Sequence, residues 1–267
     1  MSICMHKQPL LGICKACKMG RIVFMCMLAL TGLLLLLSSA IQGGEVGIGY
    51  QQSPIDIKTA YVQSNQTLGD LKKKYSPSKA AMINKGYEIQ VVWSEYAGSL
   101  EIGGVKYRLN QSHWHHPAEH TINGKRFPLE LHMVHISHDN KIAVIGILYK
   151  FGAPDFFLTK LKEAIDKIDN VKEVDLNVVD PNIIEIKRDA TYYRYIGSLT
   201  TDPFTEGVTW TVMKKVRTIT PKQADSLRKA LHGKNNSREV QPLYGRFVQV
   251  YQGKDISKKE TSLLWSS

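Results

Sequence analysis

Alternation of apolar and polar positions dominates this chain from Tyr87 to Tyr251. Tyr87-Glu88-Ile89-Gln90-Val91-Val92-Trp93 and Val105-Lys106-Tyr107-Arg108-Leu109 both read as strands. So do Gln111–His115, Leu129–His135, Thr191–Tyr195, Gly207–Val212 and Tyr244–Tyr251. Ile142-Ala143-Val144-Ile145-Gly146-Ile147-Leu148-Tyr149 is apolar on both faces and predicts a buried strand. Two stretches change period. Pro154 opens a helix with Phe157, Leu158, Leu161, Ala164, Ile165 and Ile168 on one stripe, and Thr220-Pro221 opens a second that Gly233 ends. Many strands, few helices and no strand–helix–strand alternation predict a mainly β (α+β) fold on a largely antiparallel sheet.

Histidines concentrate within two of these strands. Side chains two apart on a strand share a face, so His113 and His115 project together, as do Glu130, His132 and Val134. The turn-like Asn123-Gly124-Lys125 between them allows antiparallel pairing that brings His132 opposite the His-x-His pair. A lone strand histidine is usually a satisfied polar residue. Three that converge beside a same-face carboxylate point instead to a metal, because three neutral nitrogens and one open position make a catalytic zinc site. Gln111 and Glu130 are placed to accept from the outer ring nitrogens and fix the tautomers. His116, His120, His135 and His138 read as surface or structural.

Gln111-x-His113-x-His115, Glu119-His120-Thr121, Glu130-Leu131-His132-x-Val134-His135 and Tyr195-Ile196-Gly197-Ser198-Leu199-Thr200-Thr201 occur in this order. With Gln52-Ser53-Pro54-Ile55-Asp56-Ile57 and Val208-Thr209-Trp210, the set resembles an α-class carbonic anhydrase from about Gln51 to Tyr251. The resemblance implies a twisted, mixed, mostly antiparallel central sheet with short peripheral helices and a conical cleft. It implies a zinc ion on His113, His115 and His132, and reversible hydration of carbon dioxide to bicarbonate and a proton by zinc-bound hydroxide. Thr200 would orient that hydroxide while donating to Glu119. Gln111, Glu130 and the Asn236 backbone would support the ligands. Val134, Val144, Leu199, Thr201 and Trp210 would line the substrate pocket.

Departures from the family pattern matter as much. In Asn84-Lys85-Gly86-Tyr87 a tyrosine stands where fast relatives carry a proton-relay histidine, and a phenol of pKa near 10 relays poorly at pH 7. This implies a slow enzyme. Asp202 replaces a proline of the active-site loop, and His116 replaces a tryptophan. A non-enzymatic storage or binding protein on the same fold is the alternative. Zinc-dependent ester hydrolysis is a further reading, although the His-Glu-x-x-His helix of zinc proteases is absent from the sequence.

The formal charge of +11 is scattered, with neither a basic stripe nor interleaved aromatics, which argues against nucleic acid as a partner. Residues 1–40 read as a secretory signal: a basic region to Arg21, the apolar run Ile22–Leu37, then Ser38-Ser39-Ala40. The chain is accordingly expected in the secretory pathway or outside the cell. The alternative is an uncleaved anchor holding the catalytic domain outside the cytosol, the one case with a membrane partner. Residues 41–251 form the expected domain and 252–267 a polar tail; the sequence sets no oligomeric state.

Cys4, Cys14, Cys17 and Cys26 all lie in the leader. The disulfide that the resemblance implies is therefore missing, with Phe204 at one of its positions, at a cost of roughly 2–5 kcal/mol. A leader would also make the sequons at Asn65, Asn110 and Asn235 glycosylation candidates, Asn65 foremost.

Overall fold

A computed structural model describes residues 49–253. The leader, its four cysteines and residues 254–267 of the tail lie outside the described residues. Within them, one large twisted sheet dominates. Its main path runs Glu173–Val179, Ser78–Asn84, Ile89–Trp93, Val105–His115, Leu129–Ser137, Ile142–Phe151, Glu206–Met213, Tyr192–Ser198, Gln249–Tyr251 and Gln63–Ser64. Pairing is antiparallel except where Ile142–Phe151 meets Glu206–Met213 and Arg217–Ile219, and where Gln249–Tyr251 meets Gln63–Ser64. The fold is mainly β, as the alternating pattern predicts.

The sheet buries different residues on its two faces. Leu131 and Met133, with Ala143, Ile145 and Ile147 on the next strand, pack into the larger core. Phe157, Leu161, Ile165 and Ile168 cover that core together with Ala224 and Leu227. Burying one such side chain contributes about 1.5–3 kcal/mol. The alternate residues Val134, Val144 and Leu148 turn to the opposite face and join Ile55, Tyr195 and Trp210 in a second core. The histidine site lies on this second face.

Period 2 holds only locally on the Val105–His115 strand. Leu109 pairs with His135 and Gln111 with Val134, so Asn110 is an unpaired bulge residue. The bulge inverts the phase of the strand. Tyr107 and Leu109 point into the larger core, and after Asn110 it is Trp114 that does so. Gln111, His113 and His115 are thereby released to the other face. Across from them His132 pairs with His113 and Glu130 with His115, the antiparallel juxtaposition expected from the sequence.

The helical stripe after Pro154 is divided into Phe156–Lys160 and Lys162–Ile168, the first capped by Asp155 accepting from the Leu158 N–H at 3.0 Å. Pro221–Ala230 is closed at its start by the reciprocal Thr220/Gln223 capping box. Two expected strands shorten. Tyr87 belongs to the turn before Ile89–Trp93, where Gly86 has φ +84°, and only Gln249–Tyr251 of the last strand pairs, because Tyr244 and Gly245 turn with positive φ. Lys72–Tyr75, Ser78–Asn84, Gly98–Ile102 and Glu173–Val179 are strands that the alternation did not mark.

The Gln52-Ser53-Pro54 block docks on the Tyr192–Ser198 strand. The Ser53 N–H donates to Ser198 Oγ at 2.9 Å, and Ser53 Oγ accepts from the Ser198 N–H at 3.0 Å. A side chain at Gly197 would meet Ser53 Oγ at 2.1 Å, so this approach needs glycine.

His135, read as surface or structural, is fully buried in the sheet. Its Nε2 lies 2.7 Å from the Tyr75 hydroxyl and its Nδ1 3.3 Å from the Ala143 carbonyl. Burial pushes its pKa from 6.5 down to about 4. The neutral form is therefore favoured by folding. Its stabilisation is complete above pH 6.5 and is lost as pH falls towards 4, where the unfolded chain binds the extra proton. Replacing His135 by leucine together with Tyr75 by phenylalanine should shrink the stability lost over that interval by about 3 kcal/mol, at 1.36 per pKa unit. Urea unfolding of both metal-free proteins across the interval reads this. An unchanged pH slope would assign the effect to other groups.

Candidate metal centre

Each of the three expected ligands is buried and sets one ring nitrogen against an oxygen acceptor. His113 Nδ1 sits 2.8 Å from Gln111 Oε1, and His115 Nδ1 sits 2.8 Å from the Asn236 carbonyl. His132 Nε2 lies 3.0 Å from Glu130 Oε1, off the angle of a well-formed hydrogen bond. These contacts leave His113 Nε2, His115 Nε2 and His132 Nδ1 free. The two Nε2 atoms are 3.0 Å apart, and the ligand atoms of all three residues lie within 4.8 Å of one another. Burial, reinforced at His113 by its two neighbours, holds His113 and His132 below the usual imidazole range and His115 at about 4. Neutral nitrogen donors converging without a proton between them suit a cation such as zinc. The donor set fits.

Glu130 organises the surroundings. Burial alone would raise its pKa, but His120 and His132 outweigh that and hold it well below the carboxylate range. Its Oε2 accepts from the Glu119 and His120 backbone N–H groups at 2.9 and 2.8 Å. Its Oε1 meets His120 Nδ1 at 2.7 Å, and His120 Nε2 meets the Tyr195 hydroxyl, also at 2.7 Å. Gly146 pairs with His132 on the neighbouring strand and makes room, since a Cβ there would come within 2.9 Å of Glu130 Oε1. His120, Glu130 and His132 also have metal-like spacing. With both His120 nitrogens engaged, however, this second set is a hydrogen-bond network.

Glu119 is buried, and that burial raises its pKa to about 7. Its Oε1 accepts from the Arg238 backbone N–H at 2.8 Å. The Thr200 side chain stabilises the charged form as a donor, although Oε2 makes no hydrogen bond of normal geometry. A divalent cation at the neighbouring imidazoles would favour the charged carboxylate further.

Thr200 and Tyr87 line two connected cavities. The outer one, about 680 Å³, is walled by Asp202, Phe204, Asn235 and Arg238 and reaches His115. The inner one, about 230 Å³, is bounded by His113, His132, Val134, Val144, Leu199 and Trp210, with Thr201 at the boundary shared by both. Every sequence-predicted site residue therefore lies in or directly behind one cleft. Tyr87 stands at its mouth, 56% exposed.

A match to the family model "Eukaryotic-type carbonic anhydrase" spans residues 44–252. The chain is a member of the α-carbonic anhydrase family. It is 45% identical over 210 residues to alpha carbonic anhydrase 7 of Arabidopsis thaliana, covering 77% of this chain and 76% of that protein. It is 43% identical to dioscorin dioA3 of Dioscorea japonica, covering 77% of each. The solved structure of dioscorin complexed with ascorbate superposes with a TM-score of 0.75 at 42% identity, covering 78% of this chain and 89% of that one.

The structure also shows what the carbonic anhydrase motifs did not single out. Glu88 is only 4% exposed and faces the inner cavity. Its alternation with Ile89, and that of Gln90 with Val91, was the available signal. Arg238 reaches across the cleft wall: its guanidinium lies 3.9 Å over the Phe204 ring, and its Nη1 donates to Gln52 Oε1 and the Ser53 carbonyl, both at 2.8 Å. Phe204 is thus held by this contact and by Gln52 Nε2 donating to its carbonyl at 3.3 Å.

Proposed function

We propose that the chain is a zinc-dependent carbonic anhydrase that interconverts carbon dioxide and bicarbonate. The observation that carries this reading is the convergence of three neutral, buried nitrogens, with the outer nitrogens of His113 and His115 hydrogen-bonded and that of His132 set 3.0 Å from Glu130 Oε1. Zinc held there supplies Lewis acidity, which in carbonic anhydrase brings the pKa of water from 15.7 to about 7. This chain's residues do the rest. Gln111, Glu130 and Asn236 fix the ring orientations. Thr200, donating towards Glu119, can accept only from a nucleophile that still carries a proton, which directs a lone pair towards the substrate carbon. Val134, Val144, Leu199 and Trp210 offer a small apolar molecule a wall with no competing hydrogen bonds, and Thr201 borders it.

Stopped-flow hydration of carbon dioxide by the zinc-loaded chain tests the proposal. Catalysis above the metal-free protein is expected. Its absence at full zinc occupancy favours the second reading, a non-enzymatic storage or binding protein. That reading draws on the likeness to dioscorins, one of which is solved with ascorbate. A signal-directed route, with glycans at any of Asn65, Asn110 and Asn235, belongs to the proposal and draws on the leader and sequons.

Proton export should limit turnover. Burial, and then the neighbouring Glu88 carboxylate, raises the Tyr87 phenol above its ordinary value of 10, away from a relay's working range. Imidazole buffer should therefore raise the maximal rate in proportion to its concentration. Tyr87→His should raise the rate in dilute buffer by about tenfold or more and weaken that dependence. A fast wild type that is indifferent to buffer would place the relay elsewhere.

A further inference from the structure

Thr200 and Glu119 come from different segments of the chain, and the proposed reaction needs them held in one geometry. Thr200 opens the turn that links Tyr192–Ser198 to Glu206–Met213. Within that turn the Phe204 N–H donates to the Thr201 carbonyl at 2.8 Å, and the Leu199 N–H donates to the Thr205 carbonyl at 2.9 Å. Phe204 has φ +57°, a left-handed conformation that a bulky residue keeps only where its surroundings impose it. Arg238 and Gln52 are those surroundings.

Arg238 reaches both sides of the Thr200–Glu119 pair. Its backbone N–H donates to Glu119 Oε1 at 2.8 Å. Its guanidinium lies 3.9 Å over the Phe204 ring, and Nη1 is tied to Gln52 Oε1 and the Ser53 carbonyl, both at 2.8 Å. Gln52 closes the circuit, its Nε2 donating to the Phe204 carbonyl at 3.3 Å and to Glu206 Oε1 at 2.9 Å. Both ends of the turn are thereby anchored to one side chain. We infer that Arg238 is a positioning residue: its main chain holds Glu119, and its side chain, acting through Phe204, holds the turn that carries Thr200. The inference rests on the carbonic anhydrase reading and deepens it, because one residue then sets the donor–acceptor geometry of the pair. A clamp that merely stabilised the fold would use the same contacts but would not act through Thr200.

That dependence on Thr200 is what the test measures. Arg238→Met leaves the backbone N–H on Glu119, so it and Phe204→Leu both act on the turn alone. They remove opposite partners of one contact, so either suffices. Azide binds metals but has no proton to give, and a hydroxyl committed to Glu119 meets it lone pair to lone pair. Azide affinity of the cobalt(II)-loaded chain, followed by its visible spectrum, therefore reports on Thr200 without any turnover. Thr200→Ala should tighten azide about tenfold or more. Phe204→Leu and Arg238→Met should each tighten it about three- to tenfold, and Phe204→Tyr, which keeps the ring face, should show little of that change. In the zinc protein, Phe204→Leu should lower kcat for hydration about tenfold with KM within about twofold. Added to Thr200→Ala, neither variant should move azide affinity or kcat by more than about twofold further, because the group they act through is gone. Effects that persist in full in the Thr200→Ala background, or azide affinities unmoved by both variants, would make the clamp structural only and overturn the inference. A zinc-loaded wild type that hydrates no carbon dioxide while the azide coupling holds would overturn the reaction and leave the positioning of Thr200 standing.

Discussion

Replacing His132 by alanine is expected to lower zinc affinity by about 10²–10⁴-fold while leaving the fold intact. A protein site of this kind binds zinc with about 10–16 kcal/mol in total, so each ligand carries about 3–5 kcal/mol. The fold should survive because the strand divides its labour by alternation. Leu131 and Met133 are fully buried in the larger core, and His132 points to the other face. Glu130 would keep its bonds to His120 and to the backbone of Glu119 and His120. Chelator competition gives the affinity, and thermal unfolding of the metal-free proteins gives the fold. Undiminished zinc affinity would place the metal outside the triad. A collapse of metal-free stability would instead mean that His132 is a core residue first.

The second large effect concerns orientation. Thr200→Ala should keep zinc bound and slow hydration about 10²–10³-fold, the usual consequence of losing one preorganised group at a reacting centre. Thr200 contributes no ligand atom to the triad, so metal affinity is expected to stay within about threefold, far less than the loss of a ligand would produce. Thr200 is buried and lines both cavities, and Glu119 is buried 3.3 Å from His115 Nδ1. Thr200→Ser should restore most of the rate, since the hydroxyl and its donation towards Glu119 return. Stopped-flow kinetics on the three proteins at matched zinc content separate orientation from binding. A Thr200→Ala protein with wild-type turnover would remove Thr200 and Glu119 from the mechanism.

Much of the site was legible because strand alternation is a short-range rule. Gln111, His113 and His115 share a face over five residues, and Glu130, His132 and Val134 do the same over five more. The apolar run 142–149 was legible for another reason: both of its faces are buried, Ala143 and Ile145 in one core and Val144 and Leu148 in the other. Longer-range features were not. Nothing in Leu109-Asn110-Gln111 marks the bulge at Asn110, which is fixed by the partner strand. Lys72–Tyr75 carries no alternation because three of its four positions are lysines, and Glu173–Val179 alternates but fully buries only Val179; both lie at sheet edges. Arg238 meets Phe204, Gln52 and Ser53 only through tertiary structure. Glu88 differs from these: its alternation is visible in the sequence, but the family motif there centres on Tyr87 and gives its neighbour no role.

Interconversion of carbon dioxide and bicarbonate at the three-histidine centre is the central claim. Exchange of ¹⁸O between carbon dioxide and water at chemical equilibrium, followed by mass spectrometry, tests that step apart from proton export to buffer. The zinc-loaded chain should deplete label from carbon dioxide faster than buffer alone, and His132→Ala should abolish the acceleration. Depletion at the uncatalysed rate, with zinc fully bound to His113, His115 and His132, would contradict it.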